Sequence, residues 1–132
     1  MKLIDTNIFI YASGKSHPCR QKCLQVLEQV ISKPTAFNIS SEILQEILHV
    51  YTNKKDLEKG ITLVEMALKM FPQIFPITTA EIITTCTVLK KYPGLNARDA
   101  LHAAVVINYG LEGIVSFDGH FDIVKEIKRF QP

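Results

Sequence analysis

Tryptophan is absent from these 132 residues, and there are only three cysteines, six glycines and six prolines. Three cysteines cannot build an even disulfide framework. Cys19 and Cys23 lie four apart with Val26, Leu27 and Val30, which reads as buried, reduced thiols on a helix and leaves no zinc spacing. No glycine-rich phosphate loop occurs, so a nucleotide cofactor is not indicated. His17, His49, His102 and His120 form no HExxH pair, and no nucleophile elbow is present. No apolar run approaches the roughly 20 residues of a membrane span. The chain opens on a strand-like segment carrying Asp5 and Asn7, so no secretory leader is expected and the expected compartment is the cytoplasm. The charge excess is only +2, too mild to advertise nucleic-acid binding by itself. Lys15, Arg20, Lys22, Lys54, Lys55, Lys59, Lys90, Lys91 and Arg98 read individually as solvated helix faces that could also make local patches.

What is present is an ordinary globular composition, 47% hydrophobic and 21% charged, and a length that suits one domain over residues 1–132. Lys2–Asp5 is a short strand broken by Thr6-Asn7, and Ile8–Ala12 is open between helix and strand. A helix is expected from Ser16 or His17 to about Ser32, with Pro18 early in it and Lys33-Pro34 at its end. Ala36–Ile39 is a second strand. Ser40 or Ser41 caps a helix to Thr52 with the stripe Ile43, Leu44, Ile47, Leu48 and Tyr51. Asp56 caps the next, to about Phe71. Pro72 and Pro76 bracket a strand at Ile74–Ile77, and Thr78 and Glu81 form a capping box for a helix to Lys91. Asn96 caps a helix to Tyr109, with Gly110 beyond its end. Ile114–Phe117 is a buried strand, Gly119–Glu126 a short helix and Ile127–Phe130 an edge strand. This alternation predicts an α/β fold: a mostly parallel central sheet of about five strands with helices on both faces.

Four of the five aspartates sit at the ends of these elements. Asp5 and Asp118 follow buried strands, where ligands of an open α/β sheet bind; Asp99 opens the Asn96 helix, and Asp122 lies four residues past Asp118. Carboxylates gathered with no basic partner repel one another and call for a hard cation such as Mg²⁺ or Mn²⁺. Three of them have a bland alternative: Asp5 as turn former, Asp99 as a dipole-stabilising acid, Asp122 as support for a short helix; Asp118 is the stronger ligand candidate. Two glutamates compete for a further role. Glu42, in a first helical turn, is explained by the helix dipole; Glu46 borders a buried stripe where an unpaired carboxylate is costly, and is the better ligand candidate. His102, one turn after Asp99, could face the site but reads more simply as a packed or surface side chain.

Four segments together resemble the PIN-domain ribonucleases, especially the VapC-like toxins of toxin–antitoxin pairs: Leu3-Ile4-Asp5-Thr6-Asn7, Ile39 to Glu46, Ala97 to Ala104, and Ile114 to Asp122. The resemblance spans nearly the whole chain. It implies that Asp5, Asp99 and Asp118 hold Mg²⁺ or Mn²⁺, that Glu46 ligates the metal or orients water, and that Thr6, Asn7, Ser116 and Asp122 support the site. It also implies hydrolysis of RNA phosphodiester bonds, single-stranded RNA being the expected substrate, a homodimeric protein, and an antitoxin partner covering the acidic pocket. Two rivals stand beside it. One is a catalytically idle PIN-like module that binds RNA or protein. The other is a Mg-dependent phosphatase of the haloacid-dehalogenase type, which needs a second acid where Asn7 stands.

Overall fold

The computed structural model describes all residues from Met1 to Pro132. The apolar opening forms β1 (Lys2–Ile4), followed by α1 (Thr6–Ser13), α2 (Arg20–Ser32), β2 (Phe37–Asn38), α3 (Ser41–Asn53), α4 (Leu57–Met70), α5 (Thr79–Lys91), α6 (Ala97–Asn108), β3 (Gly113–Val115), a 3₁₀ turn at Gly119–Ile123 and β4 (Arg129–Phe130). The strands form one sheet in the order β2-β1-β3-β4, and every neighbouring pair is parallel. Parallel strands need crossovers, and the helices supply them.

Side chains alternate across the sheet. Ile4 and Val115 pack on one side with Ile8 and Phe9 of α1, Val30 of α2, Ile43 and Ile47 of α3 and Leu63 of α4. Leu3 and Ile114 pack on the other, with Val105 and Val106 of α6 and with Phe121. Val88 of α5 joins Ala100 and Ala103 of α6 in a third apolar cluster. Each Val, Leu, Ile or Phe among them contributes about 1.5–3 kcal/mol when completely buried, so helices on both faces hold the strands in place.

The strand count is four, where about five were expected. The Ile74–Ile77 segment makes a single parallel bridge, Ser40 to Phe75, with Phe75 N–H on the Ile39 carbonyl at 3.0 Å and Ser41 N–H on the Phe75 carbonyl at 2.9 Å. Pro76 has no N–H to extend that ladder. Other differences are local. The open Ile8–Ala12 segment is helix, because the Asp5 carboxylate caps α1 through the Thr6 N–H. Helix α2 starts at Arg20, later than expected, since His17–Cys19 is spent on a turn in which Nδ1 of His17 accepts the Cys19 N–H at 3.0 Å. Ser40 and Asp56 occupy cap positions without side-chain cap bonds. The expected helix at Gly119–Glu126 is a 3₁₀ turn ending at Ile123. The Thr78/Glu81 capping box forms, and Gly110 follows α6 at φ +60°.

The order of the strands sets the position of the site. The chain leaves β1 through α1 and α2 to reach β2, then crosses through α3 to α6 to reach β3 on the other side of β1. The crossovers on either side of β1 therefore diverge, and a crevice opens beyond the carboxyl ends of β1 and β3.

Candidate active site

Asp5 leaves β1 at the last rung of the sheet, its N–H donating to the Val115 carbonyl at 3.1 Å. Its carboxylate is buried and hydrogen-bonded through both oxygens: one accepts the Thr6 N–H at 2.8 Å and the other the Ser116 hydroxyl at 2.6 Å. The Ser116 oxygen also accepts the Asp118 N–H at 2.9 Å, tying the two strand ends together. Asp118 caps the 3₁₀ turn through the His120 N–H at 2.9 Å. Asn96 caps α6 through the Asp99 N–H at 2.8 Å and donates back to the Asp99 carboxylate at 3.0 Å. Three helical N-termini thus aim their partial positive charge at one place, which is where carboxylates are best tolerated.

Glu46 comes from the middle of α3. One of its oxygens accepts the Thr6 hydroxyl, and the other lies 3.0 Å from Nε2 of His102 on α6. Both Glu46 and His102 are buried, while Glu42 is half-buried and does not line the crevice. The crevice has a volume of about 230 Å³, and Asp5, Glu46, Asp99 and Asp118 all line it, with Thr6, Asn7, Asn96, Arg98, His102 and Val50. Ser116 stands behind Asp5. Asp122 is not brought in: the Arg129 guanidinium holds both its oxygens, at 2.9 and 2.8 Å.

The expectation of carboxylates with no basic partner is corrected here. His102 and Arg98 both line the crevice. His102 was legible only as a residue one turn past Asp99. Nothing in the sequence says that Glu46 of α3 meets His102 of α6, and that hydrogen bond is what holds the imidazole inward. Small Ala100, Ala103 and Ala104, all buried, leave room for it.

The charges behave accordingly. Burial pushes the Asp5 carboxyl above its ordinary range, against the partly offsetting His102 charge and Ser116 hydrogen bond. Burial, then the charges of Asp118 and Asp5, raise Asp99. Burial alone would push Glu46 up and His102 down; the hydrogen bond and attraction between them reverse both, lowering Glu46 and raising His102. Two acids are therefore held ionised only at a cost that a cation relieves. The possible ligand atoms fall into two tight sets, Asp5–Glu46–His102 and Asp99–Asp118–His120, each within 4.8 Å. The oxygen-rich donor set suits a hard divalent cation. A separate hollow between α1, α2 and α4, lined by Phe9, Leu24, Leu63 and Met66, holds no titratable side chain but Lys59 and offers no comparable chemistry.

The sequence matches the family described as "PIN domain" over residues 2–127. It is 33% identical over 121 residues to Ribonuclease VapC23 of Mycobacterium tuberculosis, covering 89% of this chain and 93% of the relative. It is 33% identical over 129 residues to Ribonuclease VapC13 of the same organism, covering 98% of both. Among solved structures, VapBC2 from Rickettsia felis bound to a promoter DNA fragment superposes with a TM-score of 0.79 at 17% identity, over 99% of this chain and 98% of that one. VapC20 of Mycobacterium tuberculosis, described as a sarcin-ricin loop cleaving toxin, superposes with a TM-score of 0.79 at 15% identity over 95% of each chain. With the parallel sheet, the acidic crevice at its switch point and a family match through nearly its whole length, this chain belongs to the PIN domain family.

Proposed function

We propose that this chain is a metal-dependent ribonuclease that cleaves RNA internally, and that it serves as the toxin of a toxin–antitoxin pair. The observation that carries the reading is the convergence of Asp5, Glu46, Asp99 and Asp118, from four separate stretches of sequence, on one crevice. The names of the VapC ribonuclease relatives support the reaction, and the toxin–antitoxin assemblies among structures of the same fold support the partner.

Asp5, Asp99 and Asp118 would hold Mg²⁺ or Mn²⁺, Asp5 from one of the two sets of ligand atoms and Asp99 and Asp118 from the other. A bound cation supplies neutralisation of phosphate charge and a water of lowered pKa. The residues themselves do the positioning. Ser116 and the Thr6 N–H fix Asp5 in one rotamer. Glu46, clamped by the Thr6 hydroxyl and His102, presents an ionised carboxylate that orients the attacking water. Arg98, at the rim, offers a fixed positive charge to a phosphate that the acids alone would repel. Thr6, Asn7 and Ser116 support this arrangement, whereas Asp122 serves it only indirectly, by holding Arg129, whose guanidinium also donates to the Ser116 carbonyl at 3.1 Å.

Purified chain incubated with single-stranded RNA and Mg²⁺ or Mn²⁺ should cut it, and EDTA should stop the reaction. An RNA left whole under both metals would leave the idle-module alternative standing. Exposed apolar side chains on α4 (Leu57, Ile61, Leu68) and α5 (Ile82, Ile83) suit the protein partners of this reading, an antitoxin and a second copy of the chain. Sedimentation of the isolated chain tests the homodimer, and co-purification with the product of an adjacent small gene tests the antitoxin.

A further inference from the structure

Between Asp5 and Glu28 the sequence carries no acidic residue, yet it holds Lys15, His17, Arg20 and Lys22. In a chain whose net charge is only +2, this stretch carries cations alone, and it begins at the crevice. Asn7 lines the crevice, and Tyr11 lies one helical turn further along α1 on the same face. The Tyr11 ring is stacked on His17, with centroids 4.1 Å apart and planes 7° from parallel. On its other flank Tyr11 meets Phe117, at 6.1 Å and 53°. Phe117 immediately precedes Asp118, so the three rings run outward from the acids.

The outermost ring is preorganised. Tyr11 covers one face of His17, and Nδ1 accepts the Cys19 N–H at 3.0 Å, while the side chain remains exposed. A ring pinned at one face and one edge presents its other face to solvent in a fixed plane. Beside it, Arg20 helps to line a polar, open hollow of about 350 Å³. An immobilised aromatic face next to a free guanidinium is the combination that binds unpaired bases without reading their sequence, by stacking on one group and pairing phosphate with the other. A purely structural role would explain the Tyr11–His17 contact, but not the absence of every acid from the surrounding stretch.

We propose that Phe117, Tyr11 and His17, with Arg20 beside them, form a stacking shoulder that binds single-stranded RNA on its way into the acidic crevice. The proposal rests on the ribonuclease reading for its choice of ligand, but its test does not depend on cleavage.

Binding is measured by fluorescence anisotropy on the Asp99→Asn chain with Mg²⁺ present. The probes are a short labelled oligoadenylate and an abasic ribose-phosphate oligomer of the same length. His17→Ala should weaken oligoadenylate binding roughly tenfold and leave the abasic strand unaffected. His17→Phe should restore affinity, since it keeps the ring. Arg20→Ala should weaken both probes and reduce the dependence of log affinity on log salt by about 0.7. Folded His17→Ala and Arg20→Ala chains that bind oligoadenylate like the parent overturn the shoulder, as does a parent that binds neither probe. Shoulder-dependent binding by a wild-type chain that cuts no RNA would support the shoulder and sink the nuclease; cleavage with unaltered binding in the shoulder variants would do the reverse.

Discussion

Glu46 and His102 share a buried hydrogen bond at 3.0 Å, and the second Glu46 oxygen is taken by the Thr6 hydroxyl. Glutamine in place of Glu46 could keep both partners while removing the charge, and its helix propensity matches that of glutamate. Glu46→Gln should therefore fold and lose most RNA cleavage, by roughly a hundredfold or more if several kcal/mol of charge organisation disappear. Glu42→Gln, at a half-buried position off the crevice, should cleave at close to the parental rate. Rates for the two purified variants decide which glutamate serves the site, and a reversed result would place it one helical turn earlier. Asp99 differs because its neighbours disfavour its charge: burial and the Asp118 and Asp5 carboxylates all raise its pKa. Asp99→Asn should abolish metal-dependent cleavage yet raise the melting temperature of the metal-free protein, since asparagine keeps the acceptor for Asn96 and ends the repulsion. A metal-free melt that falls instead would show that the acids do not strain one another.

At the scale of elements, the sheet edge and the α5–α6 pair make separable demands. Gly113 opens β3 at φ +156°, and a Cβ there would overlap the Lys128 carbonyl oxygen, which is backbone and cannot swing aside. Gly113→Ala should destabilise the fold by about 1–3 kcal/mol, read as a lower denaturation midpoint; an unchanged midpoint would mean that β4 is dispensable. Beyond α5, Lys91 and the Tyr92 hydroxyl both donate to Glu126 and hold its carboxyl at about 2, well below the ordinary range. A depressed carboxylate stabilises the fold above its unfolded value of about 4.3 and loses that contribution as pH falls towards 2. The stability difference between the parent and Glu126→Gln should accordingly be present at pH 6 and shrink through that acidic window; because the pair is exposed, the difference should be small throughout. The same elements show what pattern can reveal. The Thr78/Glu81 box, the Asn96 cap and the Leu3–Ile4 and Ile114–Val115 strands were legible, since local hydrogen bonding and short continuous apolar runs specify them. The late start of α2, the loss of a strand at Ile74–Ile77 and the pairing of Asp122 with Arg129 were not. The first turns on a local His17–Cys19 contact that no apolar pattern marks, and the other two depend on partners that become neighbours only once the chain has folded.

The whole molecule is a weakly basic body with four of its thirteen acids gathered at one switch point. Asp5 and Glu46 lie 41 residues apart in sequence, Asp99 and Asp118 come from the chain's last third, and four parallel strands bring them to one crevice. The sequence placed Asp5, Asp99 and Asp118 at the ends of strands and helices and Glu46 beside a buried helical stripe, but burial of Asp5 and the bond between Glu46 and His102 emerge only from packing both helical layers onto the sheet. On the proposed reading, that packing would also couple metal binding to folding, because no donor set exists in the unfolded chain. A divalent cation binding only the folded state stabilises it by RT ln(1 + [L]/Kd), about 1.4 kcal/mol at a concentration ten times Kd. Millimolar Mg²⁺ or Mn²⁺ should therefore raise the melting temperature of the wild-type chain. Asp99→Asn, which starts from a more stable metal-free state, should show a smaller rise, and Asp122→Asn, whose carboxylate lies with Arg129 outside the crevice, should respond like the parent in this shift even if its starting stability is lower. Calorimetric scans with and without metal on these three chains separate the crevice from the surface acid. An equal shift in all three would mean that the cation binds elsewhere, and no shift in any would remove the metal from the proposed chemistry.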